Sequence, residues 1–413
     1  MLSPYRVLDL TTERGLLCGQ ILGDMGADVI KVEPPGGSPA RRIGPFFEDR
    51  VDPDRSLYWW SYNRNKRGIT LDLETNEGRA LFKRLAASAH FLIESHNPGY
   101  LGGLGLGYRE LAAINPGLIY VSITPFGQEG PKSAYAESDL VILAAGGPLI
   151  LYGDEDRPPL RISVPQAYLH ASADAAVGAM VANHERQRSG MGQHVDVSAQ
   201  QSVTLASQAN NLAWRLGADE ARRMSGGVKL GSIRVPLVWR AKDGYVTSVF
   251  LFGQQLGTFS RKMMNYIHEL GLCDAATRDK DWIGYGAMLL SGAEPLEEYE
   301  RVIGVVAAFL ADRTKTELLK VALERGLLIA PITTIGEVLE SPQLRAREYW
   351  QSVEHRELGR SVNYPGPFAK FGAAAITYRR RPPMVGEHNR EVYSDELGLS
   401  TEEIGDLRRG GII

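Results

Sequence analysis

The stretch VLDLT at residues 7–11, followed one helix length later by GDMGADVIKVEPPG at residues 23–36, decides the fold of this 413-residue chain. Each segment holds a short apolar run that reads as a strand. Between them Leu16, Leu17, Ile21, Leu22 and Met25 recur at helical spacing, so a strand, a helix burying one face and a second strand are expected in that order. Gly26 supplies the stop, because helices commonly end on a residue in the left-handed region, which glycine enters without steric cost. Working outward, strand-like runs recur at 91–94, 118–123 and 194–198, separated by helical stretches. That alternation is the pattern of a parallel sheet covered on both faces, and the first half reads as one α/β domain.

The pattern changes near residue 225. SGGVKLG at 225–231 is glycine-bearing, and DGYVTSVF at 243–250 reads as a turn feeding a strand. Helices are expected at 257–270, 297–311 and 314–325, the last opening with Thr314 and Glu317 at capping-box spacing and closing at Gly326. A smaller α+β domain is therefore expected over 225–340, with the large domain comprising 1–224 and 341–413.

Composition narrows the function classes. With 44% hydrophobic and 23% charged residues and a net charge of -3, the chain can bury a large core and carries no general basic surface for nucleic acid or an anionic membrane. No apolar run reaches membrane-spanning length, and the start MLSPYR enters a strand without a leader-like pattern, so cytoplasmic residence is expected. Cys18 and Cys273 stand far apart outside any metal-ligand spacing, which points to reduced thiols and no metal site. GGLGLG at 102–107 lacks dinucleotide-loop spacing, and no phosphate loop or serine elbow occurs. Glu297 with Glu298 and Glu402 with Glu403 read as solvated helix faces.

Further segments carry a resemblance. NRNKRGITLDL (63–73), PGYLGGLGLGY (98–108), VPQAYLHAS (164–172), RQRSGMGQHVDVS (186–198), PPMVGEHN (382–389) and LGLS (397–400), together with the two opening stretches, resemble the class III CoA-transferase family in order and spacing. The resemblance implies a Rossmann-like large domain, a chain return near Ser341, and an interlocked-ring dimer in which each chain threads the other's gap. It also implies that the position of Tyr168 is an aspartate in active members, the nucleophile that takes the acyl group from a CoA thioester as a mixed anhydride. Members that bind CoA carry cations after the Leu-Asp-Leu stretch and around the Pro-Gly of the loop following the third strand. Here those positions read Glu74, Asn97 and Gly103. Arg41, Arg42, Lys66 and Arg67 are the candidates to replace them at the phosphates. The racemase branch pairs a histidine with the aspartate, and the matching position in AESDL is Ser138.

The chemistry of these substitutions points one way. A transferase nucleophile must be ionised near neutral pH and give a reactive acyl derivative; a phenol, with an ordinary pKa of about 10, does neither well. Tyr168 is therefore expected to fill space or contact a partner, and no catalytic residue is expected in this chain. His170, two residues on, points to another helix face and reads as structural. The expected role is a non-catalytic subunit of a heteromeric CoA-transferase, a heterodimer or heterotetramer with an aspartate-bearing relative. The precedent moves CoA from succinyl-CoA to benzylsuccinate in anaerobic aromatic degradation. CoA thioester is then a substrate of the complex, with no cofactor held tightly. Two alternatives stay open: another reaction of CoA esters with Tyr168 as acid or hydrogen-bond donor, and a non-enzymatic acyl-CoA-binding homodimer.

Overall fold

The computed structural model describes residues 1–218 and 221–413, which divide into two compact units: Met1–Ile150 with Leu160–Ala221 and Arg345–Ile413, and Leu151–Pro159 with Arg222–Leu344. In the first unit the chain runs β1 (Arg6–Leu10), α1 (Leu16–Asp24), β2 (Asp28–Glu33), α2 (Leu57–Asn63), β3 (Lys66–Thr70), α3 (Asn76–Ala86) and β4 (Phe91–Glu94). It continues through α4 (Tyr100–Gly103), α5 (Tyr108–Ile114), β5 (Ile119–Thr124), α6 (Asp139–Gly146), α7 (Ala167–Ser189) and β6 (His194–Ser198). Among the described residues these six strands form one parallel sheet in the order β3-β2-β1-β4-β5-β6, with Val7 paired to Val29 on one side and Phe91 on the other.

Strand side chains alternate between two cores, as a sheet covered on both faces requires. Val7, Val29, Phe91, Ile93 and Val121 pack with Ala171, Ala175 and Ala179 of α7, whereas Leu8, Ile30, Ile69, Leu92 and Tyr120 pack with Phe82 and Leu85 of α3. The opening helix does not bury a single face. Leu16, Cys18 and Leu22 are buried, while Leu17, Ile21 and Met25 are only half-buried and line a groove.

β3 was invisible to the hydrophobic pattern because it begins with Lys66 and Arg67, yet all five of its residues are buried. Lys66 donates to Asp9 Oδ2 at 2.8 Å, Leu16 O at 2.8 Å and Asn63 Oδ1 at 3.0 Å, which exhausts its three protons. Arg67 bonds both oxygens of Asp28, at 2.9 and 2.6 Å, and also meets Glu391 and Glu396. One consequence is that the loop holding Pro98 and Gly99, taken from the sequence to follow the third strand, follows the fourth. As an edge strand β3 would expose unpaired backbone. The C-terminal segment covers it: the Gly68 amide donates to His388 Nδ1 at 3.1 Å, the Thr70 amide to Asn389 Oδ1 at 2.8 Å, and the Tyr393 hydroxyl to Thr70 O at 2.7 Å.

Asp9 is fully buried at the end of β1 between Lys31 and Lys66. Burial pushes its pKa up, but the two ammonium groups outweigh that and hold it below the usual carboxylate range. Gly19 permits the arrangement, since a Cβ there would lie 2.2 Å from Asp9 Oδ2.

In the second unit the strands Ile329–Ile332, Gly244–Ser248 and Val238–Ala241 form an antiparallel sheet beside the helices Gly253–Glu269, Leu296–Ala311 and Lys315–Arg325. Thr314 and Glu317 form the capping box, and Gly326 ends the last helix in the left-handed region. Residues 151–159, read from sequence as part of the large domain, belong here, because Asp154 accepts from Arg223 at its carbonyl and from Arg234 and the Ser225 amide at its carboxylate. The acidic pairs are more than solvated faces. Glu298 holds Lys280 and Arg301, and in the first unit Glu403 closes a capping box with Ser400.

Candidate functional site

In an open parallel sheet, ligands sit outside the carboxyl ends of the strands where the strand order reverses. That place is the tip of β1 and β4, since the chain leaves β1 toward β2 and β3 and returns on the opposite side at β4. The two loops are tied together there, with the Thr12 amide donating to Ser95 Oγ at 2.8 Å.

Side chains from four loops and helix starts meet at this point. Arg14 lies just before α1 and donates through Nη1 to Asn97 Oδ1 at 2.8 Å. Its Nη2 lies 2.9 Å from Glu137 Oε1 in the loop before α6. Tyr168 is the second residue of α7, and its placement is set by Asp139, whose Oδ1 accepts from the amides of Gln166 at 2.6 Å and Ala167 at 2.7 Å. That carboxylate caps the helix start in place of the absent cap by residue 166.

The Tyr168 ring packs against the α7 side of the core, and its hydroxyl is buried with no hydrogen bond of ordinary length and geometry, only a weaker one toward the Glu137 carboxylate. Burial pushes the phenol pKa far up; the Glu137 charge adds to the rise, and Arg14 only partly opposes it. The side chain is therefore a neutral donor, further from a nucleophile than an ordinary tyrosine. Arg14 Nε is a buried donor without a partner. His96, beside Asn97, is pushed down to about 4 by burial, with Lys31 and Arg14 adding to the effect, so it stands neutral and packs at a tilt against Tyr100, the ring centroids 4.8 Å apart.

The three positions read as lost phosphate contacts border this crevice through α4. The Tyr100 hydroxyl donates to Glu74 Oε1 at 2.5 Å and its amide to Asn97 O, while Gly103 ends the helix with open space where a side chain would stand. Burial and the neighbouring Glu74 charge push the Tyr100 hydroxyl up to about 12. The four cations named as replacements are not gathered here. Arg41, 1% exposed, bonds both Glu33 oxygens, Asp54 and Pro383 O and stacks 3.8 Å over Trp59. Lys66 and Arg67 are consumed under β3 as described, so three of the four are structural cations, and a phosphate would have to displace carboxylates to reach them. Arg42 is exposed.

Ser138, matched to the racemase histidine by the resemblance alone, caps α6 by accepting from the Val141 amide, which is a structural duty. His170 is exposed to solvent and lies about 200° around the helix from Tyr168, solvated instead of packed as a structural histidine. Arg14, His96, Glu137 and Asp139 were not singled out from sequence. The usable signal was topological, because Arg14 and His96 both lie just past the strands that flank the switch point. Among the described residues no group of His, Cys, Asp or Glu is placed to hold a metal ion, and no helix is long and apolar enough to cross a membrane.

Comparison with known proteins places the fold in a family. The family model for CoA-transferase family III matches residues 2–389. The chain is 35% identical over 412 residues to the succinyl-CoA:(R)-benzylsuccinate CoA-transferase subunit BbsE of Thauera aromatica, covering 100% of this chain and 98% of that protein. It is 33% identical over 414 residues to the succinyl-CoA–D-citramalate CoA-transferase of Chloroflexus aurantiacus, again covering 100% and 98%. A crystal structure of a CAIB/BAIF family protein from Brucella suis superposes with a TM-score of 0.80 at 28% identity, over 95% of this chain and 98% of that one.

Proposed function

The chain belongs to CoA-transferase family III, and from that premise we propose that it is a non-catalytic subunit of a heteromeric CoA-transferase, paired with an aspartate-bearing relative in a heterodimer or heterotetramer. The observation that supports this reading is Tyr168: a neutral phenol with a buried hydroxyl stands at the position that the family resemblance matches to the ionised carboxylate nucleophile. Commitment of Arg41, Lys66 and Arg67 to internal carboxylates supports the same reading, since CoA phosphates find no spare cation among them. CoA thioester is then a substrate of the complex, not a tightly held group of this chain. The relative named as a benzylsuccinate CoA-transferase subunit supports succinyl-CoA as donor and an organic acid of that kind as acceptor.

A partner is also supported by the outer face of α7. Val177 and Val181 are about two-thirds exposed and, with Leu17, Ile21, Met180 and Phe368, line an apolar groove of about 950 Å³. An apolar surface of this kind marks an interaction site, consistent with an interlocked dimer. Incubating the chain with succinyl-CoA and hydroxylamine, followed by mass spectrometry, tests the reading: no acyl mass and no hydroxamate are expected. An acyl adduct on this chain would refute it. The weakly bonded Tyr168 hydroxyl favours a second reading, another reaction of CoA esters with Tyr168 as hydrogen-bond donor; turnover without any adduct would mark that case.

A further inference from the structure

On the β3 side of the first unit, a polar cavity of about 410 Å³ lies between the hairpin of strands Gln351–His355 and Arg360–Tyr364 and the segment 378–388. That is room for a small ligand. Arginines crowd its wall, and two of them are spent. Arg379 donates to the carbonyls of Gly23 at 2.9 Å and Ala27 at 3.2 Å. Arg381 holds both oxygens of Glu387, at 2.8 Å each, and Glu357 at 2.8 Å. Arg380 differs. Asn65 Oδ1 accepts from its amide at 3.4 Å, but its exposed guanidinium meets no carboxylate or carbonyl among the described residues. Arg356, also exposed, is tied to Glu354 at 3.3 Å. His388 supplies a donor of another kind. Its Nδ1 accepts from the Gly68 amide, so the neutral ring must carry its proton on Nε2, which has no partner among the described residues. Burial pushes the ring's pKa down, and the Arg380 and Arg67 charges add to that against Glu387 and Glu391, so the neutral form is the resting one.

Free donors thus come from three places on one wall. A planar carboxylate is satisfied by a single guanidinium fork, whereas a tetrahedral oxyanion presents oxygens in several directions and can accept from all three at once. We propose that this cavity is a binding site for a phosphate group, held by the Arg380 guanidinium and the His388 Nε2 proton, with Arg356 closing the open side. The net charge of -3 leaves no general basic surface to extend the site to a polyanion, so the ligand is a single phosphate, free or carried on a small molecule. The site does not depend on the subunit reading. His388 is tied to Gly68 of β3, two strands from β1, whereas the crevice described above lies at the tips of β1 and β4. Binding moves no covalent bond: Arg356 leaves its long contact with Glu354 for the anion.

The test is isothermal titration of the full chain, in the assembly in which it purifies, with inorganic phosphate, with adenosine monophosphate and with acetate, all at one ionic strength and without CoA. Phosphate or the nucleotide should bind at least about tenfold more tightly than acetate. The tighter of the two then says whether the free ion or a phosphate ester is the natural occupant. Arg380→Gln should weaken that binding by about tenfold or more. His388→Asn keeps an acceptor near the place of Nδ1 for the Gly68 amide but removes the Nε2 proton, and should weaken it by about fivefold. Arg408→Gln, which takes one charge from the exposed end of the last helix, Thr401–Arg409, should leave it unchanged. Acetate binding as tightly as phosphate and the nucleotide overturns the proposal. So does an Arg380→Gln protein of unchanged melting temperature that binds like wild type, or a loss as large from Arg408→Gln, which would reduce the effect to overall charge.

Discussion

Replacing Tyr168 by phenylalanine should stabilise the ligand-free protein. Removing a buried hydroxyl normally costs stability because its bond is lost, but here the hydroxyl makes no hydrogen bond of ordinary geometry and only a weak one toward Glu137. Leaving such a group unsatisfied costs about 1–3 kcal/mol, and the nearby Arg14 and Glu137 charges soften that penalty, so a gain of about 1 kcal/mol is the expected size. The ring itself remains, with its packing against the α7 side of the core intact. For a chain of this length such a gain raises the melting temperature by about 1–2 °C, which differential scanning calorimetry resolves. A Tyr168→Phe protein that melts lower than wild type without ligand would refute the reasoning, by showing that the hydroxyl makes a full hydrogen bond in the assembled protein.

Other perturbations have equally definite outcomes. Gly19→Ala should destabilise by at least about 2 kcal/mol in urea titrations despite the better helix propensity of alanine, since its Cβ would fall 2.2 Å from Asp9 Oδ2 and α1 would have to move off the buried ion cluster. Burial pushes Glu94 up to about 7 from an ordinary 4.5. The folded state then holds its proton more tightly, so the stability Glu94 contributes is full below about 4.5 and is lost as pH rises through about 7. Glu94→Gln should accordingly gain stability relative to wild type across that window, and a constant difference from pH 4.5 to 7 would refute the assignment. Tyr168→Asp, in a heteromer whose partner aspartate is alanine, should give no turnover, because the phosphate-facing cations are still missing; restored turnover would mean the nucleophile was the only loss.

Much of the fold was legible because the first unit announces itself by alternation. Strands at 28–33, 91–94 and 194–198 stand where their apolar runs placed them, and Thr314, Glu317 and Gly326 bound their helix as the capping pattern required. β3 escaped for a physical reason: its burial is satisfied by ion pairs whose carboxylates, Asp9, Asp28, Glu391 and Glu396, are up to 329 residues away in sequence. The helical face assigned to α1 was only partly right, because Ile21 and Met25 touch the core from its edge and, with Leu17, also line the groove. At the site, Tyr168 stood out through the residue that the resemblance expects there, but Arg14 and Glu137 were silent because they meet across 123 residues of sequence, which no spacing encodes.

Asp139 gives the scaffold a particular tolerance. The start of the 23-residue α7 is held by the Asp139 carboxylate on the amides of Gln166 and Ala167, so the position of residue 168 does not depend on the side chain it carries. Anchoring and chemistry are thereby assigned to different residues. A lineage can exchange the reactive group at 168 in a single step without unfolding the helix that presents it, and the same step taken backward would find the backbone still waiting in place. Architecture of this kind keeps the frame of the helix separate from the group that it presents, so a change at 168 alters the chemistry of the crevice and leaves its scaffold standing.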